Sequence, residues 1–101
     1  MPTASTSSGS QEGQVIRLDQ WGPDVTGRSL GEAVRNQVAP DAPQVTFDCG
    51  GIESMSPSFA DELFGKLSAK PLRPHIRVVN ATADVLSTIR FAVQQRTVDP
   101  A

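Results

Sequence analysis

The stretch from Val45 to Phe64 places the tightest limits on how this chain folds. It reads VTFDCGGIESMSPSFADELF: a strand-like run, two glycines, a serine-rich turn and then a helical pattern. Alternation predicts a strand with one apolar face, made of Val45, Phe47 and Cys49. Gly50 and Gly51 accept backbone conformations that other residues avoid, so we expect the strand to end there. The stretch therefore predicts a buried strand that leads through a loop into a helix.

A serine lies at the predicted start of this helix, and two registers are open. Pro57 suits the first helical position, which makes Ser56 the N-cap. Alternatively Ser58 is the cap, with Asp61 three residues later as an aspartate version of the capping box. The apolar residues beyond follow helical spacing: Phe59, Ala60, Leu63, Phe64 and Leu67. In either register a hydroxyl lies beside backbone N–H groups that have no partner within the helix.

The segment FDCGGIESMSPSFADELFGKL resembles the centre of the STAS domain (sulphate transporter and anti-sigma factor antagonist). In that family a strand ending in Asp leads through a glycine-containing loop and a serine pair into a helix. The segment is more similar still to a small bacterial STAS-like domain family of unknown function. Its hallmark is a serine followed by Phe-Ala-Asp-Glu-Leu, here Ser58 to Leu63. The resemblance covers roughly residues 14–95, and this central motif is its specific part.

The turn before the helix departs from the antagonist pattern. Those proteins usually carry Asp-Ser-Ser/Thr-Gly where this chain has Ser56, Pro57, Ser58 and Phe59. The phosphoacceptor serine of the family therefore maps either to Ser58 or to Pro57 and its neighbours. Ser58 and Ser56 are both candidates for the phosphorylated residue.

The resemblance implies a non-enzymatic regulatory module that binds a histidine-kinase-like ATPase or an anti-sigma factor. Its contact surface would be the loop and helix start at residues 54–63, with these candidates: Ser54, Met55, Pro57, Phe59, Asp61 and Glu62. A phosphoserine there adds up to about two negative charges beside Asp61 and Glu62, which would switch partner binding without unfolding the domain. An exposed Met55 or Phe59 would favour this function.

A small-ligand or nucleotide-binding site is the alternative. Ligands of parallel sheets bind beyond the carboxyl ends of the strands, where we expect a crevice formed by Asp48, Gly50, Gly51 and Asn80. A concave pocket with converging amides would favour this site. Asp48 also has a purely structural interpretation, as a hydrogen-bond acceptor for the amides of the loop.

The chain repeats a strand and a helix three times. The predicted strands are Gln14–Leu18, Val45–Cys49 and His75–Val79. This order predicts an α/β fold, with a small, mainly parallel or mixed sheet of three to four strands and helices packed on it. It is the STAS-like order β-α-β-α-β-α. The fourth strand, which the resemblance implies near the N-terminus, would come from residues 19–26.

The first and last helices have their own signals. Ser29 and Glu32 form a capping box, and we expect that helix to run to about Val38. Its predicted apolar face is Leu30, Ala33, Val34 and Val38. Asn80 or Thr82 caps the last helix. The predicted apolar face there is Val85, Leu86, Ile89, Ala92 and Val93.

Length and composition predict one domain at residues 14–96, since 101 residues are too few for two cores. A Ser/Thr/Gly-rich tail at 1–13 is expected to be disordered, and a short tail follows at 97–101. The formal net charge is −2 and the basic residues are scattered, which argues against nucleic acid as a partner. We find no apolar run near the roughly 20 residues of a membrane span and no signal-peptide pattern, and expect a cytoplasmic monomer or weak dimer.

Side chains suited to catalysis are few. One histidine, one cysteine and no tyrosine supply neither a nucleophile with a base nor a set of metal ligands. His75 opens a predicted strand, and Cys49 is interpreted as a buried structural thiol. We therefore expect no enzyme activity, no metal and no cofactor.

Overall fold

The computed structural model describes residues 13–69 and 75–97. The strands are β1 (Gln14–Arg17), β2 (Asp24–Val25), β3 (Gln44–Asp48), β4 (Ser54–Met55) and β5 (His75–Val79). The helices are α1 (Arg28–Arg35), α2 (Pro57–Ala60), α3 (Lys66–Ala69) and α4 (Ala83–Thr97), with a 3-10 helix at Leu18–Trp21. A π-helical segment, Asp61–Gly65, joins α2 to α3, and residues 57–69 are called the central helix. The predicted tails fall outside the described residues, apart from Gly13 and Thr97.

The main sheet has three parallel strands in the order β1-β3-β5. Its register aligns Ile16 with Phe47 and Phe47 with Val78. In the middle strand the predicted alternation is confirmed, because Val45 and Phe47 are fully buried while Thr46 is half-buried. The helices complete an α/β fold, as predicted.

A second, two-stranded sheet pairs β2 with β4 in parallel. The predicted region for an extra strand, residues 19–26, does contain β2, but this strand does not join the main sheet. Instead it fixes the loop that leads to the central helix. The Ser56 N–H donates to the Val25 carbonyl at 3.0 Å, and the Glu53 N–H donates to the Pro23 carbonyl at 2.7 Å.

Helix α1 differs from its prediction at both ends. The capping box is wrong: the helix begins at Arg28 behind Gly27, which has φ +91°, and Ser29 is exposed in the first turn. The helix ends at Arg35 and so does not reach Val38. Its N-terminus is positioned by a hydrogen bond from the Gly27 N–H to the hydroxyl of Ser56. No local pattern can predict this bond, because the two residues are far apart in the chain.

The face that α1 buries also differs from its prediction. Ala33 is exposed and Gly31 is buried, while Val34 is fully buried as predicted. Gly31 lies against the central helix, and a Cβ atom at this position would be 2.8 Å from the Cβ of Glu62. Only a residue without a side chain permits this close approach of the two helices.

The core lies between the sheet and the helices. Phe47 of β3 meets Phe64 of the central helix edge to face, with ring centroids 4.9 Å apart. The predicted face of the central helix is confirmed, since all its members are buried: Phe59, Ala60, Leu63, Phe64 and Leu67. On α4, Val85, Ile89 and Ala92 are buried.

Thr82, rather than Asn80, caps helix α4. Its Oγ1 accepts a hydrogen bond from the Val85 N–H at 3.2 Å. Asn80 directly follows β5 and has φ +61°, a left-handed conformation that asparagine tolerates better than most residues.

Candidate functional site

Ser56 is the N-cap of the central helix, which confirms the register with Pro57 at the first helical position. Its Oγ accepts hydrogen bonds from the Phe59 N–H at 3.1 Å and from the Gly27 N–H at 3.0 Å. A serine hydroxyl has two acceptor lone pairs and one hydrogen to donate. Both acceptor positions of Ser56 are therefore used by the backbone.

The Ser58 hydroxyl lies 3.2 Å from the Ser56 hydroxyl. Because the lone pairs of Ser56 are already engaged, the hydrogen shared in this contact is that of Ser56, and Ser58 is the acceptor. The hydrogen of Ser58 is then free to point elsewhere. The two serines thus differ. The Ser56 hydroxyl binds two backbone N–H groups, whereas Ser58 is half-buried and its O–H can donate to another group.

Ser58 lines a surface cavity of about 440 Å³, called the Ser58 cavity. Its other lining residues come from α1, the central helix and α4: Arg28, Pro57, Asp61, Thr88, Phe91, Ala92 and Gln95. A neighbouring cavity of about 460 Å³ shares Pro57, Thr88 and Phe91 with it. The start of the central helix and the middle of α4 therefore form one indented surface.

Phe91, like Arg28, is a member of this surface that sequence reasoning missed. Its side chain is 59% exposed, although large aromatic side chains are usually mostly buried. A signal was present in the sequence, since Phe91 falls outside the helical spacing that unites Val85, Ile89 and Ala92. An aromatic residue on the polar face of an amphipathic helix is a candidate binding residue.

Arg28 supplies positive charge to the Ser58 cavity. Its Nη1 lies 2.8 Å from Asp61 Oδ2 and 3.5 Å from Glu62 Oε1. The hydrogen bond to Asp61 is the main reason that the pKa of Arg28 is raised. The arginine side chain is 58% exposed, so water screens these interactions.

Glu62 does not lie on the contact surface where it was predicted, because its side chain is buried. It accepts hydrogen bonds from Arg35 Nη2 at 2.8 Å and Lys66 Nζ at 3.0 Å. Arg35 Nε also donates to the Glu62 carbonyl oxygen at 3.0 Å, within the π-helical segment. The pKa of Glu62 is lowered, and the hydrogen bond from Lys66 is the largest cause. Together with the bond from Arg35, it favours the charged carboxylate more than burial disfavours it. Glu62 is thus an internal anchor between α1 and the central helix.

Two other predicted contact residues are buried as well. Met55 and Phe59 are wrong as contact residues, and the exposure of either that would have favoured partner binding is not found, because both side chains belong to the core. Pairing of β4 with β2 turns Met55 inward, and the helical register turns Phe59 toward the sheet. Ser54 and Pro57 are exposed and Asp61 is half-buried, so these three remain on the surface.

The predicted crevice residues lie together but bind one another. Asp48 Oδ1 accepts hydrogen bonds from the Gly50 N–H at 2.9 Å and from Asn80 Nδ2 at 3.0 Å. These two hydrogen bonds lower the pKa of Asp48, and the bond from Asn80 has the larger effect. The structural interpretation of Asp48 is confirmed, and the amides that were expected to converge on a ligand converge on this carboxylate. Gly51, exposed with φ +86°, completes the turn.

Cys49 and His75 occupy the positions predicted for them. Cys49 is buried, and burial raises its pKa to about 11, so the thiol is protonated at neutral pH. His75 is exposed at the first position of β5. Within residues 13–69 and 75–97, no three His, Cys, Asp or Glu side chains form a metal-binding group. Among the helices of the same ranges, none has the length and apolar character needed to cross a membrane.

Comparison with known families agrees with the motif around Ser58. The model of the STAS-like domain of unknown function matches residues 30–86, more than half of the chain. The matched region includes both serines of the helix start, but neither Arg28 nor Phe91. Neither the curated proteins nor the solved structures contain a match to the chain. The chain therefore belongs to the family of STAS-like domains of unknown function.

Proposed function

We propose that this domain is a non-enzymatic regulatory module that binds a partner protein, either a histidine-kinase-like ATPase or an anti-sigma factor. The observation that carries the proposal is the position of Ser58, whose available hydroxyl opens into a cavity bordered by an exposed phenylalanine. The longer segment that contains this serine resembles the centre of the STAS domain, to which anti-sigma factor antagonists belong, although the turn itself departs from their Asp-Ser-Ser/Thr-Gly pattern. A serine placed in this way is both reachable by a kinase and central to a contact surface.

Ser58, rather than Ser56, is the proposed phosphoacceptor. A phosphate on Ser56 would disturb the hydroxyl that holds the N–H groups of Phe59 and Gly27. A phosphate on Ser58 leaves both bonds in place, because both N–H groups donate to Ser56 Oγ and neither donates to Ser58. The domain would remain folded while its surface gains about two negative charges.

The proposed contact residues are those that the structure leaves on the surface near Ser58. Phe91 and Pro57 supply apolar area, and aromatic side chains are prominent among residues that dominate binding energy at interfaces. Arg28 and Asp61 supply charge at the edge of the cavity. Phosphate on Ser58 would add charge beside Phe91 and oppose burial of the same surface by a partner.

The experiment is affinity capture of the tagged full chain from its own host, followed by intact-mass analysis and binding measurements with the purified partner. The variants are Ser58→Ala, Ser58→Asp and Phe91→Ala. The control for the phosphate is Ser87→Ala, another hydroxyl beside Phe91, and the control for binding is Val15→Ala, an exposed apolar residue on β1 away from this surface.

We expect wild type and Val15→Ala to bind an ATPase or anti-sigma factor, and Ser58→Asp and Phe91→Ala to bind at least tenfold more weakly. An added phosphate should be present on wild type and Ser87→Ala and absent from Ser58→Ala. The proposal is wrong if Ser58→Asp and Phe91→Ala bind the captured partner as wild type does, or if Ser58→Ala keeps the phosphate.

A further inference from the structure

Arg28 provides the cationic group among the side chains that line the Ser58 cavity. It is the first residue of α1, and its guanidinium reaches across to the central helix. One nitrogen, Nη1, contacts both Asp61 and Glu62, at 2.8 and 3.5 Å. A guanidinium has further N–H donors arranged as a planar fork that can bind a carboxylate or phosphate through two bonds.

Arg28 is not needed to neutralise the charge of the buried Glu62 carboxylate. Glu62 is held more closely by Arg35 and Lys66, at 2.8 and 3.0 Å, than by Arg28. The pair of Arg28 with Asp61 is partly exposed, with side chains 58% and 20% accessible, and exposed ion pairs are weak. Arg28 can therefore change partners while Glu62 stays neutralised.

Phosphorylation of Ser58 would supply a stronger partner in the same cavity. The terminal phosphoryl group of ATP forms a bond to Ser58 Oγ, ADP leaves, and the hydroxyl proton passes to a base of the kinase or to water. The product carries up to about two negative charges and three strong acceptor oxygens, against one charge on Asp61. Charge-assisted bonds from arginine to phosphate are among the strongest hydrogen bonds in proteins.

We propose that Arg28 is the receptor for a phosphate on Ser58, turning from Asp61 and Glu62 to the phosphoryl oxygens across the cavity. This inference rests on the proposed function and adds its mechanism. The bridge joins α1 to the central helix over the cavity beside Phe91. The surface that a partner would enter is then covered, and the Asp61 carboxylate loses its bond to Arg28.

Besides Arg28, the charged residues that line the two cavities in the described part of the chain are acidic, while Arg35 and Lys66 lie behind them against Glu62. Asp61 lines the same cavity, Glu62 is adjacent in the buried anchor, and Asp84 lines the neighbouring cavity. Among the α4 side chains that the structure describes, those that line the Ser58 cavity are uncharged: Thr88, Phe91, Ala92 and Gln95. Acidic neighbours raise the second pKa of a phosphoserine and a bound arginine lowers it, so this pKa reports on Arg28.

The experiment places phosphoserine at position 58 during synthesis of the full chain, so that neither a kinase nor a partner is required. The second ionisation, ordinarily near pKa 6, is followed by ³¹P NMR in wild type, Arg28→Gln and Arg28→Lys. Arg90→Gln is the matched control, because Arg90 is an exposed arginine on α4 that lines a different cavity. Proton NMR spectra establish that each variant is folded.

We expect the phosphate pKa in Arg28→Gln to lie at least about half a unit above that of wild type, with Arg28→Lys between them and Arg90→Gln equal to wild type. Equal values in all four proteins would overturn the role of Arg28. The same phosphoproteins are then tested for partner binding. If the phosphate weakens binding equally with and without Arg28, the proposed function stands and this inference fails. If Arg28 shifts the pKa and the phosphate leaves binding unchanged, the phosphate receptor stands and the proposed switch fails.

Discussion

The hydroxyl of Ser56 joins the starts of two helices, because its Oγ accepts the N–H of Gly27 at 3.0 Å while it caps the central helix through Phe59. The two bonded residues, Gly27 and Ser56, are 29 positions apart in the chain. Gly27 directly precedes α1, so one side chain links the N-terminal ends of α1 and the central helix. The adjacent Ser58 is held beside this junction without being part of it.

Ser56→Ala should therefore destabilise the domain, and Ser58→Ala should not. Loss of a serine N-cap costs about 1–2 kcal/mol, and we expect the upper end because the bond to Gly27 is lost as well. Ser58→Ala and the control Ser87→Ala should change the free energy of unfolding by no more than about 0.5 kcal/mol. Urea unfolding of the three variants measures these differences. Similar losses for Ser56→Ala and Ser58→Ala would contradict the different roles of the two serines.

Glu62→Gln should destabilise the domain because it leaves Arg35, which is mostly buried, without its carboxylate. Breaking a fully buried ion pair costs about 3–5 kcal/mol. We expect about 2 kcal/mol here, since the side chain of Lys66 is 41% exposed and can return to water. The control is Glu32→Gln, an exposed carboxylate of α1, which should have little effect on chemical unfolding.

The same carboxylate makes stability depend on pH. The folded domain lowers the pKa of Glu62, so its contribution is fully present above the unfolded value, about 4.3. That contribution is lost as the pH falls through the folded pKa. When the pH is lowered from neutral to below the folded pKa of Glu62, the free energy of unfolding should therefore fall more in wild type than in Glu62→Gln. Parallel stability curves for the two proteins would show that Glu62 does not contribute in this way.

Gly31→Ala should destabilise the domain, although alanine favours helix formation by about 1 kcal/mol over glycine. The added Cβ would lie 2.8 Å from the Glu62 Cβ and 3.0 Å from the Phe59 carbonyl oxygen. Overpacking of this kind costs about 1–3 kcal/mol, so the net change should be a loss. Ser29→Ala, at an exposed position of the same helix, is the control and should unfold no earlier than wild type in a thermal melt. A gain in melting temperature for Gly31→Ala would mean that the helices separate without cost.

Cys49 should be unreactive in the folded domain. Burial raises its pKa to about 11, and a thiol reacts as its thiolate. At pH 8 we expect modification by a disulfide reagent to be at least about a hundredfold slower in native protein than in urea. Equal rates in the two states would show that the thiol is accessible, contrary to its position in the core.

The local patterns predicted much of the fold and the start of the central helix. Alternation located the middle strand and its buried face, and Pro57 beside two serines located the helix start with Ser56 as a possible cap. Helical spacing identified the core face of the central helix. These features depend on hydrogen bonds and side-chain directions over a few residues, which the order of amino acids specifies directly.

Tertiary packing decided the surface of the candidate site. Glu62 has the local sequence of an exposed acid, yet Arg35, distant in the chain, stabilises it inside the domain. The start of α1 depends on Ser56, and Phe91 lies beside Ser58 because α4 packs against the central helix. The sequence by itself thus determined the three strands of the main sheet and the central helix, and it narrowed the cap of that helix to Ser56 or Ser58. Which serine keeps an available hydroxyl at the surface, and which side chains surround it, was decided by contacts between residues about thirty positions apart, which no short-range pattern encodes.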